Sequence, residues 1–475
     1  MTTAPTDSAI AFTLSINSKP VQLQGISPTM TLLEYLRQSR HTGTKEGCGD
    51  GDCGACTVVL LGTNDQGQPQ YQAVNSCLIP LGAVAGREVI TVEGIANGSL
   101  HPVQAAMVET GGSQCGYCTP GFIMSLFAGY YNGTLDSDVT VEGNLCRCTG
   151  YLPIRRAAQQ VATTCAQTAP QDDFGQRLAT APVDLPPLHY HGSDQVFHRP
   201  TQLSEVLSLL HAHPDATLVA GATDLGLEMS WHRQTYPVMI SLEAVPEMQF
   251  IDRTPEWVEI GAAVPLSHIE RQLHGVFPSL DEMLHWFAAR QVRNRATLGG
   301  NIGTASPIGD LPPVLLSLNA DLRLASATGE RWLPLASFFK GYRQTDLQPG
   351  EVIVSVRIPT GITPGAVRRL SQSYKIGKRG TDDISIVAAA YVVDLDDQNQ
   401  IVHARLGYGG VAATPARTIA VEDWLLGKPW THATIQEAKS YLLEAFTPLT
   451  DLRGSADYRK LLVANLFEKF FVEIT

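Results

Sequence analysis

Eight of the nine cysteines of this 475-residue chain form two sets of four with different spacings. The first set is C-x4-C-x2-C followed by a distant cysteine: Cys48, Cys53, Cys56 and Cys77. This is the ligand spacing of a plant-type [2Fe–2S] ferredoxin. Four glycines lie in the loop 47–56, and glycine permits the positive φ angles that wrap a backbone around a cluster. Zinc sites prefer paired C-x2-C knuckles, so this set predicts an iron–sulfur cluster.

The second set joins a C-x2-C pair to a C-x-C pair: Cys115, Cys118, Cys146 and Cys148. Each pair precedes a predicted helix, where free N–H groups favour anionic thiolates. Thr119 is the predicted N-cap of the first of these helices, with Pro120 at its first position. Taken alone, C-x2-C also fits a thioredoxin-like redox pair or half a zinc site. The ninth cysteine, Cys165, lies in an apolar helical pattern and is interpreted as a buried structural thiol.

Composition excludes several classes of function. A net charge of −12 argues against nucleic acid and anionic membranes as partners. The first residues have no basic segment followed by an apolar one, and no apolar run reaches the roughly 18 residues of a membrane span. We therefore expect a soluble cytoplasmic protein, in which cysteines bind metal rather than form disulfides.

A length of 475 residues allows about three domains, and the residue pattern places their limits. Residues 10–24 predict a β-hairpin that turns at Asn17–Pro20, and Thr31 with Glu34 predicts the capping box of a helix. The predicted parts are a mixed α+β domain (8–95), a helical domain (96–166), a linker (167–194), an α+β domain (195–365) and a C-terminal α+β domain (366–475).

Three motifs resemble the signatures of the xanthine dehydrogenase family of molybdenum hydroxylases. They are Gly51–Thr57 (GDCGACT), Gln114–Gly121 (QCGYCTPG) and Asn144–Tyr151 (NLCRCTGY). The resemblance implies two [2Fe–2S] clusters held by all eight cysteines, one in a β-grasp ferredoxin-like domain and one in a helical bundle. It implies that the second cluster lies nearer a molybdenum cofactor and that the first lies toward a flavin. Gln114 would face the pterin of that cofactor in a partner protein, although an exposed polar loop residue is the simpler reading.

Neither a G-x-G-x-x-G nor a P-loop motif is present, but two glycine-rich loops are. The first loop reads as a strand and a tight turn whose N–H groups suit a pyrophosphate: Leu218, Val219, Ala220, Gly221, Ala222, Thr223, Asp224 and Leu225. The second loop begins with Thr297, Leu298, Gly299, Gly300 and Asn301, and Asp310 follows it. Each loop alone also fits an ordinary glycine-rich surface turn.

Together the loops resemble the FAD domain of the same family, which has the vanillyl-alcohol-oxidase type of fold. The resemblance implies that both loops hold the FAD diphosphate and that Asp310 holds polar groups on the ribose or adenine side. Phe287, Ile353 and Lys375 match further flavin contacts, although two core residues and a solvated charge are the plain alternatives. Residues 451–459 resemble the flavoprotein C-terminal domain of the family.

The resemblance as a whole implies an α+β multidomain protein that acts as the iron–sulfur/FAD small subunit of a bacterial-type two-subunit xanthine dehydrogenase. A molybdopterin-binding large subunit would carry the substrate chemistry, so no catalytic residue is assigned to this chain. The two would form a heterodimer or a dimer of heterodimers, and electrons would reach FAD and then NAD+. The alternatives are the same role in an aldehyde or N-heterocycle dehydrogenase, oxygen as the oxidant, and a stand-alone electron-carrier flavoprotein.

Overall fold

The computed structural model describes residues 11–165, 171–179 and 185–474. The side chain of Cys165 is outside the described residues, so its interpretation stays a prediction. The chain divides into two compact units. The first unit comprises the described residues up to Val245 together with Ala289–Ala296, and the second comprises Pro246–Ala288 and the residues from Thr297 onward. The predicted domain limits stay predictions.

The first unit begins with a five-stranded mixed sheet. Its elements are β1 (Phe12–Ile16), β2 (Lys19–Leu23), α1 (Leu32–Gln38), β3 (Thr57–Thr63), β4 (Pro69–Asn75) and β5 (Glu88–Ile90). The strand order is β2-β1-β5-β3-β4, with β1 parallel to β5, which is the predicted β-grasp arrangement. Asn17 and Ser18 join β1 to β2 with φ of 51° and 65°, which confirms the predicted hairpin turn.

Thr31 caps α1 as predicted, because its hydroxyl accepts a hydrogen bond from the N–H of Glu34 at 3.2 Å. The Glu34 side chain does not turn back to complete a capping box. Its carboxylate instead accepts hydrogen bonds from Gln38 and from Arg233, which lies far along the chain. A distant cation thus replaces the local partner that the motif predicted.

The predicted helical domain is built around one buried helix. Its helices are α2 (Pro102–Glu109), α3 (Thr119–Asn132), α4 (Leu152–Cys165) and α5 (Asp173–Leu178). Every residue of α3 from Gly121 to Tyr131 is buried, as expected for a helix that is apolar on all sides. The predicted N-cap is wrong by one residue: Cys118 occupies the N-cap position of α3 without a side-chain cap, and Thr119 is already helical, because the backbone is in the αR region at Cys118. The helix α5 lies within the segment predicted as a linker.

The rest of the first unit is a second, four-stranded sheet with two helices. Its elements are β6 (Leu188–Gly192), β7 (Gln195–Arg199), α6 (Leu203–Ala212), β8 (Thr217–Val219), α7 (Leu225–His232) and β9 (Val238–Ser241). The strand order is β6-β7-β9-β8. This sheet shares a hydrophobic core with the first one, where Tyr190 packs edge-on against Phe12 with ring centroids 4.7 Å apart.

The second unit starts with a five-stranded sheet and the helices beside it. These elements are β10 (Ile251–Arg253), β11 (Trp257–Gly261), α8 (Leu266–Gln272), α9 (Pro278–Trp286), α11 (Leu298–Gly303), α12 (Leu311–Ser317), β12 (Asp321–Ser326), β13 (Gly329–Pro334), β14 (Phe339–Gly341), β15 (Gln344–Thr345) and β16 (Val352–Pro359). The strand order is β10-β11-β16-β12-β13, and β14 pairs with β15 separately. Between α9 and α11, α10 (Arg290–Arg293) belongs to the first unit.

The C-terminal part of the second unit is an antiparallel sheet covered by helices. Its elements are β17 (Arg368–Ile376), β18 (Val387–Leu395), β19 (Ile401–Gly409), β20 (Ala416–Arg417), α13 (Ile419–Leu425), α14 (His432–Glu444) and α15 (Ala456–Ile474). Phe467 and Phe470 of α15 pack against Tyr391 of the central strand β18. Across the described part of the chain, no helix combines the length and apolar character needed to cross a membrane.

Buried charges tie together distant segments of the first unit. The carboxylate of Glu243 accepts hydrogen bonds from Arg87 at 2.8 Å and from Arg295 at 2.7 Å, and all three side chains are less than 10% exposed. Burial acts to raise the pKa of Glu243, but Arg295, Arg87 and Arg199 outweigh it and lower the pKa to about 2. Glu243 is therefore ionised at neutral pH.

Replacing Glu243 with Gln should lower the free energy of unfolding of the first unit by about 3–5 kcal/mol, because it leaves buried guanidinium groups without their counter-charge. In the wild type, the stabilisation is complete above the ordinary glutamate pKa of 4.5 and is lost as the pH falls toward about 2. Denaturant unfolding as a function of pH measures both effects. The exposed Glu437→Gln variant is the control and should change stability by less than about 0.5 kcal/mol; an equal loss in both variants would contradict the prediction.

Candidate functional site

Glycine turns fold the first thiol loop back on itself. Gly49, Gly51 and Gly54 have φ of 79°, 87° and 65°, values that side-chain-bearing residues rarely adopt. As a result the N–H of Cys48 donates to the sulfur of Cys53 at 3.3 Å, and the N–H of Cys53 donates to the sulfur of Cys48 at 3.2 Å. The prediction that glycines adopt positive φ angles in this loop is confirmed.

The hairpin of β3 and β4 brings the fourth cysteine of the first set to the third. Its register pairs Thr57 with Asn75, so the residues just beyond the two strand ends meet. Cys77 lies in a 3-10 turn directly after β4, and its sulfur is 3.3 Å from that of Cys56. Both thiols are buried, with exposed fractions of 0% and 2%.

The second thiol set also forms two pairs, at the beginnings of α3 and α4. Cys148 is close enough to Cys115 for that partner to raise the pKa of the Cys148 thiol. Cys118 is likewise close to Cys146, and burial and this partner both raise the pKa of Cys118. Cys115 and Cys148 are exposed, whereas the other pair is partly covered. Gln114 beside Cys115 is exposed as well, which agrees with either reading of that residue.

In the first set, the thiol that accepts a hydrogen bond becomes more acidic. A hydrogen bond from the Cys48 thiol lowers the pKa of Cys53 to about 6. The contact with the Cys77 thiol likewise lowers the pKa of Cys56. Each pair therefore contains one thiol with a lowered pKa, and a lower pKa favours the thiolate form that binds metal.

The arrangement of the thiols tests whether they fit iron–sulfur clusters. Among the described residues, no three or more His, Cys, Asp or Glu side chains converge closely enough to hold one metal ion. A single zinc ion needs four such ligands, whereas each iron of a [2Fe–2S] cluster needs two thiolates. Both sets, arranged as two pairs, fit a two-iron cluster better than a zinc ion.

Backbone contacts join the two thiol sets directly. The N–H of Leu145 donates to the carbonyl of Cys53 at 3.0 Å, and the Asn144 side chain donates to the carbonyl of Gly54 at 3.0 Å. A Cβ on Gly54 would lie 2.1 Å from the carbonyl oxygen of Gly143, and one on Gly121 would lie 2.2 Å from that of Gly54. Sequence reasoning did not single out these contacts, although Gly54, Gly121 and Asn144 stand within the three motifs.

The first glycine-rich loop lies in the first unit, between β8 and α7. Its turn includes Ala222 with φ of 65°. A Cβ on Gly221 would lie only 1.8 Å from the carbonyl oxygen of Arg295, so glycine is required there for close backbone packing. The α7 helix begins immediately after Asp224 and carries the chain away from the loop.

The second glycine-rich loop lies in the second unit and forms the start of α11. The Thr297 hydroxyl accepts a hydrogen bond from the N–H of Gly300 at 3.0 Å, so Thr297 caps this short helix. The side-chain oxygen of Asn301 is buried and has no hydrogen-bond partner among the residues that the structure describes. Gly303 leaves an open space beside Ile353, whose Cδ1 would be 3.9 Å from an added Cβ. The buried, unpaired acceptor of Asn301 fits a polar group of a bound ligand.

Two further candidate residues meet in the second unit. The Lys375 ammonium donates to the Asp310 carboxylate at 2.8 Å and to the carbonyl of Trp286, next to Phe287, at 3.1 Å. The Ser385 hydroxyl donates to the other Asp310 oxygen at 2.5 Å. The Lys375 side chain is 4% exposed, so it is not a solvated charge. Phe287 and Ile353 are buried, which is expected both of flavin contacts and of ordinary core residues.

Four family models match successive parts of the chain. They describe a 2Fe-2S iron-sulfur cluster binding domain (residues 14–82), a [2Fe-2S] binding domain (91–159), the FAD binding domain in molybdopterin dehydrogenase (191–361) and the CO dehydrogenase flavoprotein C-terminal domain (372–474). The chain is thus a multidomain α+β protein with two [2Fe–2S] domains and an FAD domain, as predicted.

Known proteins agree with this assignment. Xanthine dehydrogenase of Emericella nidulans is 34% identical over 98% of this chain, and xanthine dehydrogenase 1 of Arabidopsis thaliana is 34% identical over 94%. The chain spans 39% and 38% of those two proteins. Solved chains of Cu,Mo-CO dehydrogenase (25% identity) and of quinoline 2-oxidoreductase from Pseudomonas putida 86 (27%) each align with 58% of this chain at a TM-score of 0.54, covering 96% and 95% of those chains. The chain belongs to the molybdenum hydroxylase family and corresponds to its iron–sulfur and FAD part.

Replacing Gly54 with Ala should destabilise the first unit by roughly 2–5 kcal/mol, because a side chain at positive φ is strained and its Cβ would overlap the Gly143 carbonyl. Gly67 is a matched control, since it has φ of 74° but nothing within 4 Å of an added Cβ. Gly67→Ala should therefore cost only the strain, about 1–2 kcal/mol. Denaturant unfolding of both variants measures the difference, and equal losses would show that the contact with Gly143 contributes nothing.

Proposed function

We propose that this chain is the electron-transfer subunit of a cytoplasmic xanthine dehydrogenase, and that it connects a molybdopterin-binding partner subunit to NAD+. The observation that carries the proposal is the backbone contact between the two thiol sets in a chain that aligns with xanthine dehydrogenases over almost its whole length. Two one-electron centres so connected suit an electron relay. The flavin domain on the same chain suits the exchange between single electrons and a hydride.

Within this proposal, Cys48, Cys53, Cys56 and Cys77 hold one [2Fe–2S] cluster, and Cys115, Cys118, Cys146 and Cys148 hold the other. The buried pair Cys56 and Cys77 keeps water from one side of the first cluster. The exposed pair Cys115 and Cys148, with the exposed Gln114, places the second set at the surface, where a partner subunit can approach it. The clusters, when bound, supply one-electron transfer.

For FAD, the proposal uses residues from both glycine-rich loops and the buried network of the second unit. Leu218–Leu225 and Thr297–Asn301 supply backbone N–H groups and hydroxyls for the diphosphate. The ion pair with Lys375 orients Asp310 as an acceptor for ribose or adenine-side hydroxyl and amino groups. Phe287 and Ile353 supply apolar contacts to the flavin. The unpaired Asn301 oxygen provides one more acceptor.

Xanthine is favoured over the other substrates of the family because the xanthine dehydrogenases of Emericella nidulans and Arabidopsis thaliana align with nearly the whole chain. The CO dehydrogenase and quinoline oxidoreductase chains align with 58% of it. Purification of the native complex tests the proposal: a molybdenum-containing subunit should copurify, and the complex should oxidise hypoxanthine and xanthine with NAD+ as acceptor. If the complex oxidises only aldehydes, the assignment of xanthine as substrate is wrong. If oxygen reoxidises the flavin faster than NAD+ does, the assignment of NAD+ as acceptor is wrong. If no molybdenum-containing subunit copurifies, the proposed subunit role is wrong.

The two thiol sets should bind iron independently. The purified chain should contain about four irons, and Cys53→Ser or Cys146→Ser should each lower this to about two by removing one ligand set. Iron analysis with electron paramagnetic resonance (EPR) of the reduced protein measures the loss and shows which signal disappears. Cys165→Ser, which lies outside both sets, should keep about four irons; if it loses as much iron as the other variants, the assignment of ligands is wrong.

The Asn301→Ala variant should bind FAD less tightly, with an increase in Kd of about tenfold for one lost hydrogen bond to a buried group. Fluorescence titration of the deflavinated protein with FAD measures the affinity. Asn97→Ala changes an exposed asparagine of the first unit and should leave the affinity unchanged. Equal FAD affinity in Asn301→Ala and wild type would remove Asn301 from the flavin site.

A further inference from the structure

The helix α7 contacts the first thiol set at both of its ends. In its first turn, an added Cβ on Gly226 would lie 2.3 Å from the carbonyl oxygen of Leu78, the residue after Cys77. In its last turn, the indole N–H of Trp231 donates to the carbonyl oxygen of Cys48 at 3.0 Å. One helix therefore spans from the turn that carries the last cysteine to the loop that carries the first.

Two further contacts lie at the Trp231 end of α7. Gly49 lies against it with φ of 79°, and an added Cβ there would be 3.2 Å from the indole nitrogen and 3.3 Å from the Ser230 hydroxyl. Arg233 ends the helix in the left-handed conformation, with φ of 52°, and binds the carboxylate of Glu34 at 3.0 Å. The indole thus lies against the Cys48 loop, and the exposed Arg233–Glu34 pair joins the adjacent helix end to α1.

Burial does not explain the position of Trp231, because its side chain is 58% exposed. Its one specific polar interaction among the described residues is the hydrogen bond to the Cys48 carbonyl. An indole N–H can only donate a hydrogen bond. The positive end of the N–H dipole therefore points at the Cys48 carbonyl in the thiol loop. A hydrogen bond near a cluster ligand is one of the means by which proteins adjust a cluster potential.

The same helix starts from the first glycine-rich loop, since Asp224 is its N-cap position. Its eight residues span about 12 Å. A short, rigid element therefore connects the loop assigned above to the FAD diphosphate with the loop of the first thiol set. A displacement of either loop relative to α7 would change the distance between the two loops.

We propose that Trp231 is a positioning residue of the first iron–sulfur centre, and that it anchors the Cys48 loop to α7 and so to the flavin loop. This inference rests on the proposed function, because it requires a cluster at Cys48. The indole N–H offsets the negative end of the Cys48 carbonyl and so favours the more negative, reduced form of a cluster there. Loss of the N–H should lower the midpoint potential of the first cluster and leave the second cluster unchanged.

The test compares Trp231→Phe, which keeps a ring but loses the donor, with Trp231→His. The imidazole Nε2 occupies the same ring position as the indole nitrogen, so the histidine variant restores an N–H at pH 8, where its ring is neutral. Trp332→Phe removes another partly exposed indole (42%), in the second unit, and is the control. EPR-monitored redox titration of the full chain with both clusters and FAD bound gives each midpoint potential.

The phenylalanine variant should show a lower potential and altered g values for the first cluster alone, and the histidine variant should return the potential toward that of the wild type. Retention of the first cluster in the histidine variant but not in the phenylalanine variant supports the proposal equally. An unchanged potential in Trp231→Phe, an equal shift in Trp332→Phe, or cluster loss in both Trp231 variants would overturn it. A Cys48→Ser arm identifies the first cluster's signal; if that signal survives Cys48→Ser, the ligand assignment itself fails.

Discussion

The close approach of three glycine backbones determines how the segments that carry the two thiol sets pack together in the first unit. The carbonyl of Gly54 lies where a side chain on Gly121 would be, and the carbonyl of Gly143 lies where a side chain on Gly54 would be. Because no side chain separates these segments, Asn144 and Leu145 can hydrogen-bond directly to the loop of the first thiol set. This contact sets the separation of the two thiol sets, and an electron relay depends strongly on such a separation.

Buried ion pairs hold the surrounding segments in register. Glu243 joins Arg87 and Arg295, which come from well-separated parts of the chain, and Lys375 joins Asp310 within the second unit. Removing water from charges is costly, so such pairs persist only where both partners arrive in the right geometry. We interpret them as determinants of specificity at the places where the proposed cofactor sites need accurate alignment.

Local sequence signals predicted local structure well. The hairpin turn at Asn17 and Ser18 and the cap at Thr31 follow from the conformational preferences and hydrogen bonds of a few neighbouring residues. The predictions were less accurate where distant contacts compete: Arg233 takes the carboxylate expected to complete a capping box at Glu34. The cap of α3 moves to Cys118 because the second thiol loop already enters the helical conformation there. Trp231 had no signal in the sequence, since its partner is a backbone carbonyl in a distant loop.

By itself, the sequence determined the types and spacing of the eight thiols, the glycine turns that expose their N–H groups, the absence of a Rossmann fingerprint and the order of the domains. These features are local, because they depend on residue type and neighbours along the chain. Only the tertiary structure decided which thiols pair, that Lys375 is buried against Asp310, and that α7 contacts both ends of the first thiol set. Those outcomes depend on strand register and helix packing between distant segments, which spacing along the chain does not specify.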